Sequence, residues 1–264
     1  MAATLGTTLA GLLLLSFVFF ILERLIGGAR GPWFRKEYWT DTAYWFFAPL
    51  ITRVISRTVI LLPFLLLVAV GAATVEGLRA REYVGFGPIS RQAVWLQTIE
   101  VLLLADLIGY WVHRRFHRRP WWPFHAVHHS SEELDWLSSA RVHPVNTLAM
   151  NLLQATPLLF VGFNPFAAAS AVPLLTLYAV FLHARIDWTY GPVGRVIASP
   201  AFHRWHHSQE PEAIDKNFSG LFAFWDVLFG TFYLPQDRAP RHFGITTPMP
   251  SGLVAQLKHP FIRT

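Results

Sequence analysis

The chain has 264 residues, of which 53% are hydrophobic, 15% aromatic and only 14% charged. A soluble domain carries about 25% charged residues, so a mostly aqueous surface is excluded and lipid is the expected solvent for much of the molecule. The net charge is +6, but the basic residues at 30–36, 114–119 and 238–241 adjoin apolar stretches, which suits lipid headgroups and argues against nucleic acid as a partner.

There is no cysteine. Disulfides, thiolate metal sites and a cysteine nucleophile are therefore excluded, and any metal must be held by imidazole and carboxylate.

In chain order, "TLGTTLAGLLLLSFVFFIL" at 4–22 is uncharged and long enough to span a bilayer as a helix. It lacks the basic start and small-residue cleavage site of a signal peptide, so a retained anchor is expected. Arg24, Arg30, Arg35 and Lys36 follow, offset only by Glu23 and Glu37. That excess of positive charge places the loop in the cytoplasm. Residues 42–73 are apolar but contain Pro49, Arg53, Arg57 and Pro63, which predicts a broken or tilted span. Residues 74–91 mix charge with Gly and Pro and read as an exposed or interfacial connection.

Residues 92–112 form the next expected span, with Glu100 and Asp106 inside it. Its end runs into "HRRFHRR" at 113–119, whose four arginines return the chain to the cytoplasm. Residues 146–162 and 165–186 read as a helical hairpin, with Asn164 as N-cap and Pro165 at the first helical position. The polar remainder, 187–264, is expected against the cytoplasmic face. The predicted architecture is all-α: a multi-span transmembrane helical bundle with a cytosolic helical cap. It divides into N-terminal spans and a connection at 1–91 and a catalytic domain at 92–264.

Histidine is the unusual residue, with 12 copies. His113 and His117 are four apart and share a helical face, as do His125, His128 and His129, and again His203, His206 and His207. His183 and Asp187 form a further i, i+4 pair. Pro120 and Pro123 separate the first two groups onto different helices, and Ser199-Pro200 resembles an N-cap and first-turn proline for the helix carrying the last triplet. Crowded imidazoles repel when charged and lack partners when buried and neutral; a metal removes both problems. Eight histidines in paired or tripled spacing, with His183 and Asp187, exceed the four ligands of a tetrahedral zinc site and suit two metal ions. Asp106 lies seven residues before His113 and Tyr110 three before it. An acid inside a span is usually paired, so Asp106 is expected either to hold the far N–H of a ligand histidine or to pair with Arg114, Arg115 or Arg118. His143 in "ARVHP" is a further candidate, as ligand or as support. His242 and His259 read as interface residues.

These residues resemble the membrane-bound fatty acid hydroxylase/sterol desaturase superfamily, whose hallmark is three boxes, HxxxH, HxxHH and HxxHH. Here they are "HRRFH" at 113–117, "HAVHH" at 125–129 and "HRWHH" at 203–207. The surroundings also match, in "DLIGYWVHR", "SSARVHPVN", "FLHARID" and "KNFSGLFAFWDVLFGTFYLP". The likeness runs from about residue 92 to the C-terminus, and short bacterial sterol-desaturase-like proteins are the nearest match.

The resemblance implies a non-haem di-iron centre on the cytosolic side of a multi-pass protein, expected in a bacterial inner membrane. O₂ is the co-substrate and a lipid C–H bond the target. It implies His113, His117, His125, His128, His129, His203, His206 and His207 as iron ligands, with His183 as the extra ligand before the third box. At Asp187 some relatives have histidine, which leaves open direct binding or binding through water. No "HPGG" haem loop is present, so electrons are expected from a separate carrier: a cytochrome b5-like protein, a ferredoxin or a reductase. Hydroxylation is the expected outcome and desaturation the alternative. A metal transporter would place its ligands near the bilayer midplane, and a zinc hydrolase would use fewer of them.

Overall fold

The computed structural model describes residues 2–27, 32, 34–79 and 84–262. Arg30, counted above in the first connection, and residues 80–83 of the expected 74–91 connection lie outside them. The uncharged N-terminal run forms helix α1 (Ala2–Phe20), which continues as a π-helical stretch over Ile21–Ile26. Next come α2 (Tyr38–Phe47), α3 (Arg53–Val59) and α4 (Leu61–Ala69). Between α2 and α3, the backbone widens to a π turn at Ala48–Thr52, which contains Pro49. Proline removes an amide donor, and the wider turn absorbs the loss without ending the helical run. The 32-residue run Tyr38–Ala69 is thus interrupted twice, by the π turn and again at Ile60.

A short α5 (Val75–Arg79) precedes α6 (Val94–Phe116) and α7 (Trp122–His129). The hairpin is α8 (Pro144–Val161) and α9 (Pro165–Leu182), and Asn164 Oδ1 accepts the Phe166 N–H at 2.8 Å as its N-cap. Then follow α10 (Pro200–His206), α11 (Phe224–Leu228) and α12 (Leu253–Ile262). Ser199 caps α10 through the Phe202 N–H, as its sequence suggests. The described residues contain no β-strand; their one bridge joins Ser208 and Phe243.

Four helical runs are long and apolar enough to cross a membrane: Ala2–Ile26, Tyr38–Ala69, Val94–Phe116 and Pro165–Leu182. Leu13, Leu14 and Phe17 of α1 are more than 60% exposed. Side chains this apolar gain roughly 25 cal/mol per Å² on leaving water, so lipid is the solvent that suits them. Helix α8 forms where expected but is not among the four, because Asn146, Asn151 and Gln154 interrupt its apolar face.

Helix α6 packs between α8 and α9 through Val101, Ala105, Leu158, Phe163 and Ala171. At the far end of this layer Gln97 Oε1 accepts the Asn164 N–H at 2.9 Å. Gly162 ends α8 at φ +98°, and a Cβ there would lie 2.3 Å from the Phe86 carbonyl oxygen. At the other end α1 and α9 enclose Trp136 and Leu137 of a short 3-10 helix, Trp136–Ala140. That end collects the C-termini of α1, α6 and α9 and the N-termini of α2 and α8, with α7 and α10 beside them.

Candidate metal centre

His113 lies near the end of α6 and His117 is its C-cap residue. His125, His128 and His129 occupy α7, His183 follows α9, and α10 carries His203 and His206 with His207 at its cap. The helix ends bring all nine together. His113, His117, His125, His129 and His206 each offer a ring nitrogen to one group, and His128, His183, His203 and His207 to another; within each group these atoms lie within 4.8 Å of one another.

The two groups adjoin. His129 and His207 stack with centroids 4.3 Å apart, and the His206 and His207 centroids are 5.3 Å apart. Within them, Nε2 atoms stand 2.9 Å apart for His113 and His125, and 3.2 Å apart for His183 and His203. The Nε2 atoms of His117 and His206 are buried without a hydrogen-bond partner.

The outer ring nitrogens explain this. His113 Nδ1 donates to the Phe218 carbonyl at 2.7 Å and His206 Nδ1 to that of Lys216 at 2.7 Å. His128 donates to Arg141 O at 3.0 Å, His183 to Ala179 O at 2.7 Å, and His125 to Asn146 Oδ1 at 2.8 Å. A carbonyl only accepts, so each Nδ1 carries the proton and each Nε2 lone pair points inward. Metal-bound histidines are oriented in this way. Burial, reinforced by neighbouring imidazoles, holds His125, His128, His129, His203, His206 and His207 far below the ordinary imidazole value, and burial holds His183 at about 4. Neutral, converging imidazoles are what iron, zinc or copper would bind, so the donor set fits two metal ions.

Segment 216–222 is the outer wall, and acids fix it. Asp226 accepts the N–H groups of Phe218 and Ser219 at 2.8 and 2.9 Å and the hydroxyls of Ser219 and Thr231. Asn217 donates to the carbonyls of Phe202 and Tyr233. Asp106 accepts the N–H groups of Gly220, Leu221 and Phe222 at 3.1, 2.9 and 2.8 Å.

The structure places four further candidate residues outside the two histidine groups. Asp106 pairs with neither a ligand histidine nor an arginine; backbone amides satisfy it. The Tyr110 hydroxyl meets Thr231 Oγ1 at 2.9 Å and accepts from Arg114 Nη1 at 3.0 Å, so it supports the same wall. His143 caps α8 by accepting the Val145 N–H and holds the Leu257 carbonyl, outside both groups. Asp187 is also outside them. Helix α9 ends at Leu182, so His183 and Asp187 share no helical face, and the Asp187 side chain is 64% exposed beside Arg204 at 3.4 Å. The sequence reading missed Asn146, Asn217, Arg141 and Asp226. All four fall in stretches it singled out, Arg141 and Asn146 in "SSARVHPVN" and Asn217 and Asp226 in "KNFSGLFAFWDVLFGTFYLP", but it gave them no role.

A cavity of about 320 Å³ opens onto the five-histidine group, lined by His117, Trp122, His129, His206, Asp215 and Thr246 among others. None of the four-histidine group lines it.

The model of the fatty acid hydroxylase family matches residues 98–231, which carry all nine clustered histidines. The chain belongs to that family. It is similar to ornithine lipid hydroxylase of Rhizobium tropici, 32% identical over 63% of this chain and 51% of that protein. It is 32% identical to alkylglycerol monooxygenase of Homo sapiens over 55% of this chain and 32% of the relative. Sphingolipid C4-hydroxylase of Schizosaccharomyces pombe is 30% identical over 52% of this chain and 48% of its own length. The chain thus spans about half the length of these relatives, or less. No solved structure is significantly similar to it.

Proposed function

We propose that the chain is a membrane-bound, non-haem di-iron monooxygenase that hydroxylates a C–H bond of a polar-headed lipid with O₂. The observation that carries the reading is the set of nine imidazoles, seven of them buried, in two adjoining groups, each within 4.8 Å. Relatives named for ornithine lipid, alkylglycerol and sphingolipid support the substrate class.

His113, His117, His125, His129 and His206 would hold one iron, and His128, His183, His203 and His207 the other. Asp106, Tyr110 and His143 act as structural supports and Asp187 as a surface ion-pair partner. Two bound irons would supply the redox chemistry that activates O₂. The protein's own part is orientation. Carbonyls of segment 216–222, of Arg141 and of Ala179 fix the ring tautomers before any substrate arrives, so no reorganisation is needed during the reaction. Thr246, Asp215 and Trp122 give the cavity polar and aromatic walls beside His117, His129 and His206. A lipid seated there holds its reacting carbon against the five-histidine group, and substrate placement decides between hydroxylation and desaturation.

Taking a C–H bond and O₂ to an alcohol and water consumes two electrons and two protons. A separate carrier, a cytochrome b5-like protein, a ferredoxin or a reductase, is proposed to deliver the electrons. The arginines at 114–119 support a centre on the cytoplasmic side by the positive-inside rule, and a bacterial inner membrane is the proposed location. Residues 92–264 form the catalytic unit.

The test is purified protein supplied with a reductant system, host lipid extract and ¹⁸O-labelled O₂. Mass spectrometry is expected to find a lipid that has gained one labelled oxygen. A lipid lacking two hydrogens would favour desaturation instead, and a hydrolysed lipid with stoichiometric zinc would overturn the reading.

A further inference from the structure

A buried ionic network ties the N-terminal spans to the four-histidine group. It lies wholly outside the family-matched segment on its N-terminal side, at Arg35, Glu37 and Asp41, and inside that segment at Asp135, Ser138 and Arg141. The Arg35 guanidinium grips Asp135 through Nε at 2.7 Å and Nη2 at 2.5 Å, and Nη2 also reaches Asp41 and Ser138. Arg141 donates to the other oxygen of Asp41, to Glu37 and to Ser130 Oγ. The side chains of Arg35, Asp41 and Arg141 are at most 1% exposed.

The network ends on a ligand. Asp135 Oδ1 accepts the Leu137 and Ser138 N–H groups, capping the short 3-10 helix whose C-cap residue is Arg141. The Arg141 carbonyl accepts the His128 Nδ1–H at 3.0 Å. Asp41 holds the Arg141 side chain and Arg35 holds the start of its helix, so the position of that carbonyl is fixed from the N-terminal spans. A second tie runs parallel: Glu23 Oε1, at the end of the first span, accepts the N–H of Trp136 at 3.2 Å and of Arg185 at 3.0 Å. Arg185 lies two residues past His183. The five-histidine group has different supports, segment 216–222 and Asn146.

The geometry points to Asp41 and Arg141 as positioning residues for the metal held by His128, His183, His203 and His207, acting through the Arg141 carbonyl on His128. The N-terminal spans therefore complete one metal subsite and leave the other unaffected. Forked guanidinium contacts to two carboxylates give direction as well as charge, which a lysine cannot supply. This inference rests on the proposed two-metal reading.

The test counts iron per chain in detergent-purified full-length protein and records its Mössbauer spectrum, for wild type, Asp41→Asn, Arg141→Lys and His128→Ala. Wild type is expected to hold two magnetically coupled irons. Asp41→Asn and Arg141→Lys are expected to fall to about one iron, uncoupled, matching His128→Ala. Arg141→Lys keeps the charge and carries the test alone should Asp41→Asn fail to accumulate. Two coupled irons in Arg141→Lys would overturn the inference. Fewer than two irons in wild type would instead overturn the two-metal reading on which it rests.

Discussion

The imidazoles of His129 and His207 stack at 4.3 Å between centroids with their planes 24° apart, one from each histidine group. They come from α7 and from the cap of α10, almost eighty positions apart in sequence. Their contact makes the two groups neighbours within one centre.

His128 sits 3.2 Å from His183 through their Nε2 atoms, whereas His259 lies on α12 outside both groups. His128→Ala is expected to lower the metal content of purified protein and His259→Ala to leave it unchanged. Elemental analysis of the two variants checks this, and equal metal retention would contradict the ligand assignment.

Asp106 satisfies three backbone amides of segment 220–222. Leaving a buried donor unpaired costs about 1–3 kcal/mol, so Asp106→Ala is expected to destabilise the protein by roughly 3 kcal/mol. Phe218, whose carbonyl holds His113, lies two residues upstream, so metal affinity should weaken as well. Denaturant unfolding in detergent reads the first effect. A variant as stable as wild type would show that the segment does not depend on this carboxylate.

The pH dependence of the metal-free protein follows from the buried imidazoles. His183 is held at about 4 in the folded state, below the ordinary 6.5, and burial holds the α7 and α10 histidines well below it too. As the pH falls, the unfolded chain takes up protons first. Stability is therefore complete above about pH 6.5 and is lost as the pH drops from there toward 4. Melting temperatures in chelator between about pH 8 and about pH 5 should fall on acidification; a flat profile would contradict neutral burial.

Gly162 closes the α8–α9 hairpin at positive φ against the Phe86 carbonyl. Gly162→Ala combines an unfavourable backbone with a clash, and strain of this kind costs on the order of 1–3 kcal/mol. The variant should melt lower with its iron content unchanged, because the turn is at the end of the bundle away from the histidines. Loss of iron at unchanged stability would be the wrong way round.

Much of the fold was legible because hydropathy and helix signals act locally. Asn164-Pro165 and Ser199-Pro200 announce two helix starts, and both caps form. The histidine spacing is likewise helical and local, so which residues converge could be read before the geometry was known. What failed was long-range or depended on a helix boundary. Asp187 was paired with His183 on a helix that stops at Leu182. For Asp106, proximity in sequence suggests a histidine or one of Arg114, Arg115 and Arg118, while its partners lie more than a hundred positions away. The Arg35–Asp135 contact joins positions 100 apart, and no periodicity within either segment encodes it.

The central claim is that two irons occupy these two histidine groups. Anomalous diffraction at the iron absorption edge, from crystals of anaerobically purified protein, tests it most directly. The account predicts two peaks, one among His113, His117, His125, His129 and His206 and one among His128, His183, His203 and His207. A single peak, peaks only at the zinc edge, or metal outside both groups would contradict it.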